Sequence, residues 1–85
     1  MFINKTADGK NNRCGERIAQ IRSEMGISQR KLADMLQLKE LDIGKNAIQR
    51  IEAGKRFVTD IELVYFAELL QVTYEALLDC SAKEL

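Results

Sequence analysis

Lys45, Asn46, Gln49 and Arg50 are the residues whose types and spacing carry the clearest chemistry in this chain. Wound at about 100° per residue, the segment from Lys45 to Glu52 sets those four on one arc and Ala47, Ile48 and Ile51 on another. Lys and Arg bond guanine O6 and N7, and Asn and Gln bond adenine N6 and N7 in pairs. The polar arc therefore holds the side chains that direct reading of base edges requires, each good pair giving roughly 1–3 kcal/mol of discrimination. An ordinary solvated helix face is the alternative, because Lys, Gln and Arg are common surface helix formers.

Such an arc is useful only if other elements hold it. Met1 to Arg13 is mostly polar, with no sustained helical or strand period, and is expected to be a flexible arm (residues 1–13). From Gly15 the apolar residues Ile18, Ile21 and Met25 recur at helical spacing, with Cys14 a turn earlier and Gly26 placed as a left-handed stop. Ser28 is set to cap a short second helix carrying Leu32, Ala33 and Leu36. Residues Gln37 to Ile43 connect it to the polar-arc helix, expected from about Gly44 to Ala53 and closed by Gly54. Thr59 and Glu62 form a capping-box pattern before Leu63, Phe66, Ala67 and Leu70, and Thr73 caps a fifth helix bearing Tyr74, Leu77 and Leu78. The reading is an all-α domain over residues 14–80, followed by a polar tail, 81–85.

Bulk properties narrow the class. With 85 residues, 46% hydrophobic and no Pro, the chain suits one small helical core that folds without disulfides or metal. A formal net charge of zero argues against a polyanionic partner, yet the average hides an asymmetry. Lys10 to Arg56 holds eleven Lys and Arg against six Asp and Glu, whereas Phe57 to Leu85 holds one against six. One end is thus suited to meet a polyanion, with scattered solvated charge as the alternative. Two cysteines far apart, Cys14 and Cys80, and no His leave no zinc site of the usual spacing; the cysteines are expected to be reduced thiols, with no metal or cofactor. The longest apolar stretch, Leu63 to Ala67, is too short to span a bilayer, and a cytoplasmic location is expected.

The stretch GERIAQIRSEMGISQRKLADML, followed by NAIQRIEAGKRFVTDIELVYFAELLQVTYEALL, resembles the Cro/phage-repressor (XRE) helix-turn-helix family from about Gly15 to Leu78. The most specific parts are the S-Q-x-x-L-A opening of the second helix, the I-x-x-I-E-x-G-K-R closure of the third and the V-T-x-x-x-L-L ending. The resemblance implies a compact five-helix, lambda-repressor-like domain that binds double-stranded DNA, usually as a dimer on a palindromic site, with the third helix in the major groove. It implies that Gln29 bonds a phosphate and braces that helix. Lys45, Asn46, Gln49 and Arg50 become candidates for base or nearby phosphate contacts, and Lys55 and Arg56 match a turn that clamps the DNA backbone. Arg22 and Glu52 match a structural ion pair between the first and third helices.

Two departures stand out. The turn between helices two and three is longer by about five residues than the tight turn usual in relatives. Leu38, Leu41 and Ile43 either extend helix two and plug that turn into the core, or the longer turn shifts the register of helix three. Gln71 stands where relatives often have Gly, which costs roughly 1 kcal/mol if the backbone there is left-handed.

Three classes of function remain to be weighed. Catalysis has no support, since the chain lacks His, a nucleophile elbow and a Gly-rich phosphate loop. A protein-interaction module that kept the fold without specific DNA binding fits the neutral net charge and the acidic second half. Basic and amide side chains sharing an arc, with Lys55 and Arg56 just beyond, favour a transcriptional regulator, in the sense of a repressor. A homodimer through helices four and five is expected because Tyr65, Tyr74, Leu77 and Leu78 exceed what a five-helix core obviously needs; completing the monomer core is the other use for them.

Overall fold

The computed structural model describes residues 5–7 and 9–78. Their regular structure is wholly helical: α1 (Gly15–Glu24), α2 (Gln29–Leu38), α3 (Lys45–Glu52), α4 (Asp60–Leu70) and α5 (Tyr74–Leu78). Three of the starts have a side-chain cap at the N-cap residue. Ser28 Oγ accepts from the Lys31 amide, and Thr73 Oγ1 accepts from the Ala76 amide at 3.1 Å. Thr59 and Glu62 form the expected reciprocal capping box.

The stops share one geometry. Gly26, Glu40, Gly54 and Gln71 all have positive φ. Each closes the preceding helix by a paired bond: Ile27 N–H to Arg22 C=O, Leu41 to Leu36, Lys55 to Arg50 and Val72 to Ala67, each with the shorter bond inside it. This is the Schellman arrangement, which satisfies the orphan carbonyls of a helix end. Two of the four sites are Gly, for which φ > 0 carries no penalty. The other two, Glu40 at φ 64° and Gln71 at φ 58°, adopt it against the clash of a Cβ.

The core is apolar throughout: Cys14, Ile18, Leu32, Ala33, Leu36, Ile43, Ile48, Ile51, Phe66, Ala67, Leu70 and Leu77 are buried. α3 packs on α1 and α2, while α4 joins α1, α2 and α5, so the polar-arc helix has two helices behind it. The lengthened turn is built into this core: Ile43 is buried and Leu41 packs against the cluster. Leu38 does not join them; it ends α2 on the outer side and is 85% exposed. The Schellman reversal at Glu40 explains the difference, since it turns the chain inward only after Leu38 has passed.

Two further expectations need correction. The arm through Arg13 is not free where it is described, because the segment around Thr6–Lys10 is hydrogen-bonded into a turn and Asn11 and Asn12 bond the loop after α3. Adjacent amide side chains supply donors that a reading of apolar periodicity does not register. Of the residues thought surplus to the core, Leu77 is buried and Tyr65 is partly buried against it, leaving Tyr74 and Leu78 exposed with Ile61 and Val64. Asp79, Cys80 and the expected tail, 81–85, lie outside the described residues. Cys14 is buried, and loss of hydration pushes its thiol up to about 11, so it is a protonated core residue near neutral pH. No helix among the described residues is long and apolar enough to cross a membrane.

Candidate nucleic-acid interface

α3 separates its faces as its sequence requires. Ile48 and Ile51 are buried and Ala47 is half-buried, whereas Lys45, Asn46, Gln49 and Arg50 are all exposed. None of these four side chains is engaged by another group among the described residues, in contrast with most cations elsewhere in the chain. Gly44 starts the helix in an extended conformation without a side-chain cap, and the first turn holds no acid. The opening N–H donors and the positive end of the helix dipole are therefore left uncompensated beside Lys45.

Behind that face, Glu52 gathers three bonds. Arg22 donates from Nε to Oε2 at 2.7 Å and from Nη2 to Oε1 at 3.1 Å, and Gln29 Nε2 donates to Oε1 at 2.9 Å. A third guanidinium nitrogen, Arg22 Nη1, holds the Ile27 carbonyl at 2.8 Å. Arg22 thus ties in the α1–α2 turn, and α1, α2 and α3 meet at one carboxylate. Its hydrogen bond to Arg22 raises the guanidinium's pKa further, keeping it charged. The side chains are 16% and 8% exposed, so removing one partner strands a shielded charge, a loss above the roughly 1 kcal/mol typical of exposed pairs. The expected Arg22 to Glu52 bridge is present, and Gln29 occupies the bracing position assigned to it.

The loop after α3 divides the two cations expected in it. Lys55 is exposed, whereas Arg56 forms a two-pronged bond to Glu62, at 3.0 and 2.9 Å, and also donates to the Phe57 carbonyl. Arg56, expected to neutralise phosphate, is thus engaged by Glu62, which the α4 capping box holds in place. Arg56 in turn holds the Glu62 carboxyl below its ordinary range, outweighing desolvation and helped by the Thr59 backbone bond.

Asn11 and Asn12 were missed from the sequence. The Asn11 amide donates to the Gly54 carbonyl at 2.8 Å and its side chain to the Lys55 carbonyl at 2.9 Å. Asn12 Nδ2 lies 3.1 Å from the Ile51 carbonyl and 2.7 Å from that of Arg56, while its Oδ1 accepts from the Gly15 amide. Gly15 permits this closeness, because a Cβ there would meet the Ile51 oxygen at 2.1 Å. A usable signal was Asn12 three residues before Gly15, the spacing at which an Asn side chain bonds an opening helix amide.

A short helix braced across a turn behind a second helix, whose outer face carries amides and uncompensated cations, defines a nucleic-acid-binding helical module. The chain belongs to the helix-turn-helix domain family, whose model matches residues 15–80. DNA is the partner, and regulation the role, to which membership of that family points. No curated protein matches the chain.

Proposed function

We propose that this chain is a sequence-specific, XRE-type binder of double-stranded DNA acting as a transcriptional repressor. α3 lies in the major groove, where Lys45, Asn46, Gln49 and Arg50 reach base edges and the nearest phosphates. The observation carrying this reading is that those four side chains are exposed and uncommitted on a helix fixed from behind by Arg22, Gln29 and Glu52. Gln29 keeps one amide hydrogen and its carbonyl oxygen beyond the bond to Glu52, so bracing and phosphate contact are compatible. Lys55 supplies backbone charge. Occupying a promoter blocks polymerase without any second activity, hence repression by binding and not catalysis; the site of action is where the DNA lies, the cytoplasm.

The functional unit is a homodimer joined through α4 and α5. Ile61, Val64, Tyr74 and Leu78 are exposed there, and a groove of about 440 Å³ runs between Val64, Ala67, Val72 and Tyr74. Two-fold symmetry then calls for half-sites about one helical turn apart. A single species of monomer mass in sedimentation, up to high micromolar concentration, would rule the dimer out.

Selection from random duplexes, followed by affinity measurements across salt, tests the main reading. An enriched motif is expected, with Asn46→Ala or Gln49→Ala relaxing the preference at particular bases and Lys55→Ala weakening all sequences alike while flattening the salt slope by about one. Absence of any enriched motif would sink specific binding and favour the rival, a protein-interaction module, for which the exposed apolar face of α4 and α5 is the feature to examine.

A further inference from the structure

In the α3–α4 loop the carbonyls of Gly54, Lys55, Arg56, Phe57 and Thr59 are taken, whereas three consecutive amides are open. Asn11 and Asn12 together cover the oxygens of Ile51, Gly54, Lys55 and Arg56. The backbone N–H groups of Arg56, Phe57 and Val58 have no hydrogen-bond partner among the described residues. A loop with most of its oxygens bonded and three donors open carries positive partial charge, next to the exposed Lys55. Without the two Asn side chains the carbonyls of Lys55 and Arg56 would have to turn to water, whereas those of Ile51 and Gly54 keep backbone donors and the Lys55 backbone keeps only its amide bond to Arg50.

We propose that Asn11 and Asn12 are positioning residues for the DNA-backbone contact: they clamp the α3–α4 loop so that Lys55 and the loop amides meet one phosphate. This rests on the duplex-binding reading above. The clamp spans 44 residues of sequence at Asn11 and Lys55, so the segment before α1 belongs to the binding apparatus through its grip on the loop. Asn11 acts without touching DNA. Its Oδ1 accepts from Lys5 Nζ at 2.7 Å, so Asn11→Ala removes no charge and releases a cation. Any loss of affinity in that variant has to come from the position of the loop.

The test is a double-mutant cycle on one selected duplex: wild type, Asn11→Ala, Lys55→Ala and the double variant, with affinities across salt and thermal midpoints for each. Asn11→Ala is expected to weaken binding about three- to tenfold with unchanged base preferences, the range that loss of one net hydrogen bond allows. It should also flatten the salt slope, and the double variant should bind no more than about twofold worse than Lys55→Ala. Multiplicative losses in the double variant, or an Asn11→Ala affinity equal to wild type, would overturn the clamp. Asn11→Ser, run through the same cycle, covers the case in which the alanine variant melts below the assay temperature. Failure of the wild type to bind any duplex sinks the DNA reading and the clamp together, whereas binding with independent losses sinks the clamp alone.

Discussion

Glu62 does two jobs with one carboxylate. It closes the α4 capping box by accepting from the Thr59 amide at 3.0 Å, and it accepts both prongs of Arg56. Those bonds hold its folded pKa below the ordinary value of 4.5. Around that pH the unfolded chain binds more protons than the folded one, so stability rises with pH. The contribution is complete at neutrality and is lost as pH falls through the depressed folded value. Glu62→Gln keeps a side chain able to close the capping box but removes the charge. Denaturant midpoints between pH 7 and pH 3 should therefore show the variant weaker by about 1–2 kcal/mol at neutral pH, with the gap closing in acid. A gap unchanged at pH 3 would mean that lost packing, and not the ion pair, sets the cost. The sequence displayed the cap, because Thr and Glu sit at fixed local spacing. It did not display the diversion of Arg56, which depends on where the loop after α3 points.

At the scale of elements, the helix ends decide how the binding helix is held. Gly26 and Gly54 were legible as stops, since Gly just past an apolar repeat is the usual left-handed residue. The reversal at Glu40 was not, because nothing in the side chain of Glu marks it for positive φ. In sequence the lengthened turn therefore leaves two alternatives; in the structure Leu41 and Ile43 plug it into the core, while Leu38, of the same residue type as Leu41, does not. Apolar character alone cannot separate the three; the backbone reversal between Leu38 and Leu41 does. The strain at this turn is testable. Glu40→Gly should stabilise by about 0.5 kcal/mol, the relief of the left-handed strain being partly offset by greater freedom in the unfolded chain. Gln71→Gly should behave alike. Gly26→Ala, where a Cβ meets nothing within 4 Å and only backbone strain acts, should destabilise by about 1 kcal/mol. Urea midpoints at unchanged slope are the measurement. If Glu40→Gly is destabilising, that side chain contributes more to the turn than its left-handed backbone costs.

Across the whole molecule, the charge asymmetry that pointed to a polyanion turns out to have two causes. Part of the basic half serves the fold: Arg13 and Arg17 donate to the carbonyls of Leu78 and Ala76 at the end of α5, where cations also suit the helix dipole. Lys39 bonds Glu68, Arg56 bonds Glu62 and Lys10 bonds Glu16. Two acids of the second half, Glu62 and Glu68, are thus counterparts to cations of the first. Lys45, Arg50 and Lys55 stand outside this pairing, exposed along α3 and the loop that follows, as do Arg30 and Lys31 at the start of α2. If the first three neutralise phosphates, the plot of log affinity against log salt should have a slope of about −3 per subunit, since each released counterion contributes about −0.9. Substituting Gln for Lys45, Arg50 or Lys55 should reduce that slope by about one each. Arg17→Gln removes the same formal charge but should leave the slope unchanged and lower the thermal midpoint, because its guanidinium is bonded to the Ala76 carbonyl of α5. Equal flattening by Arg17→Gln and Lys55→Gln would show that duplex affinity follows total charge, and would remove the distinction between folding cations and binding cations.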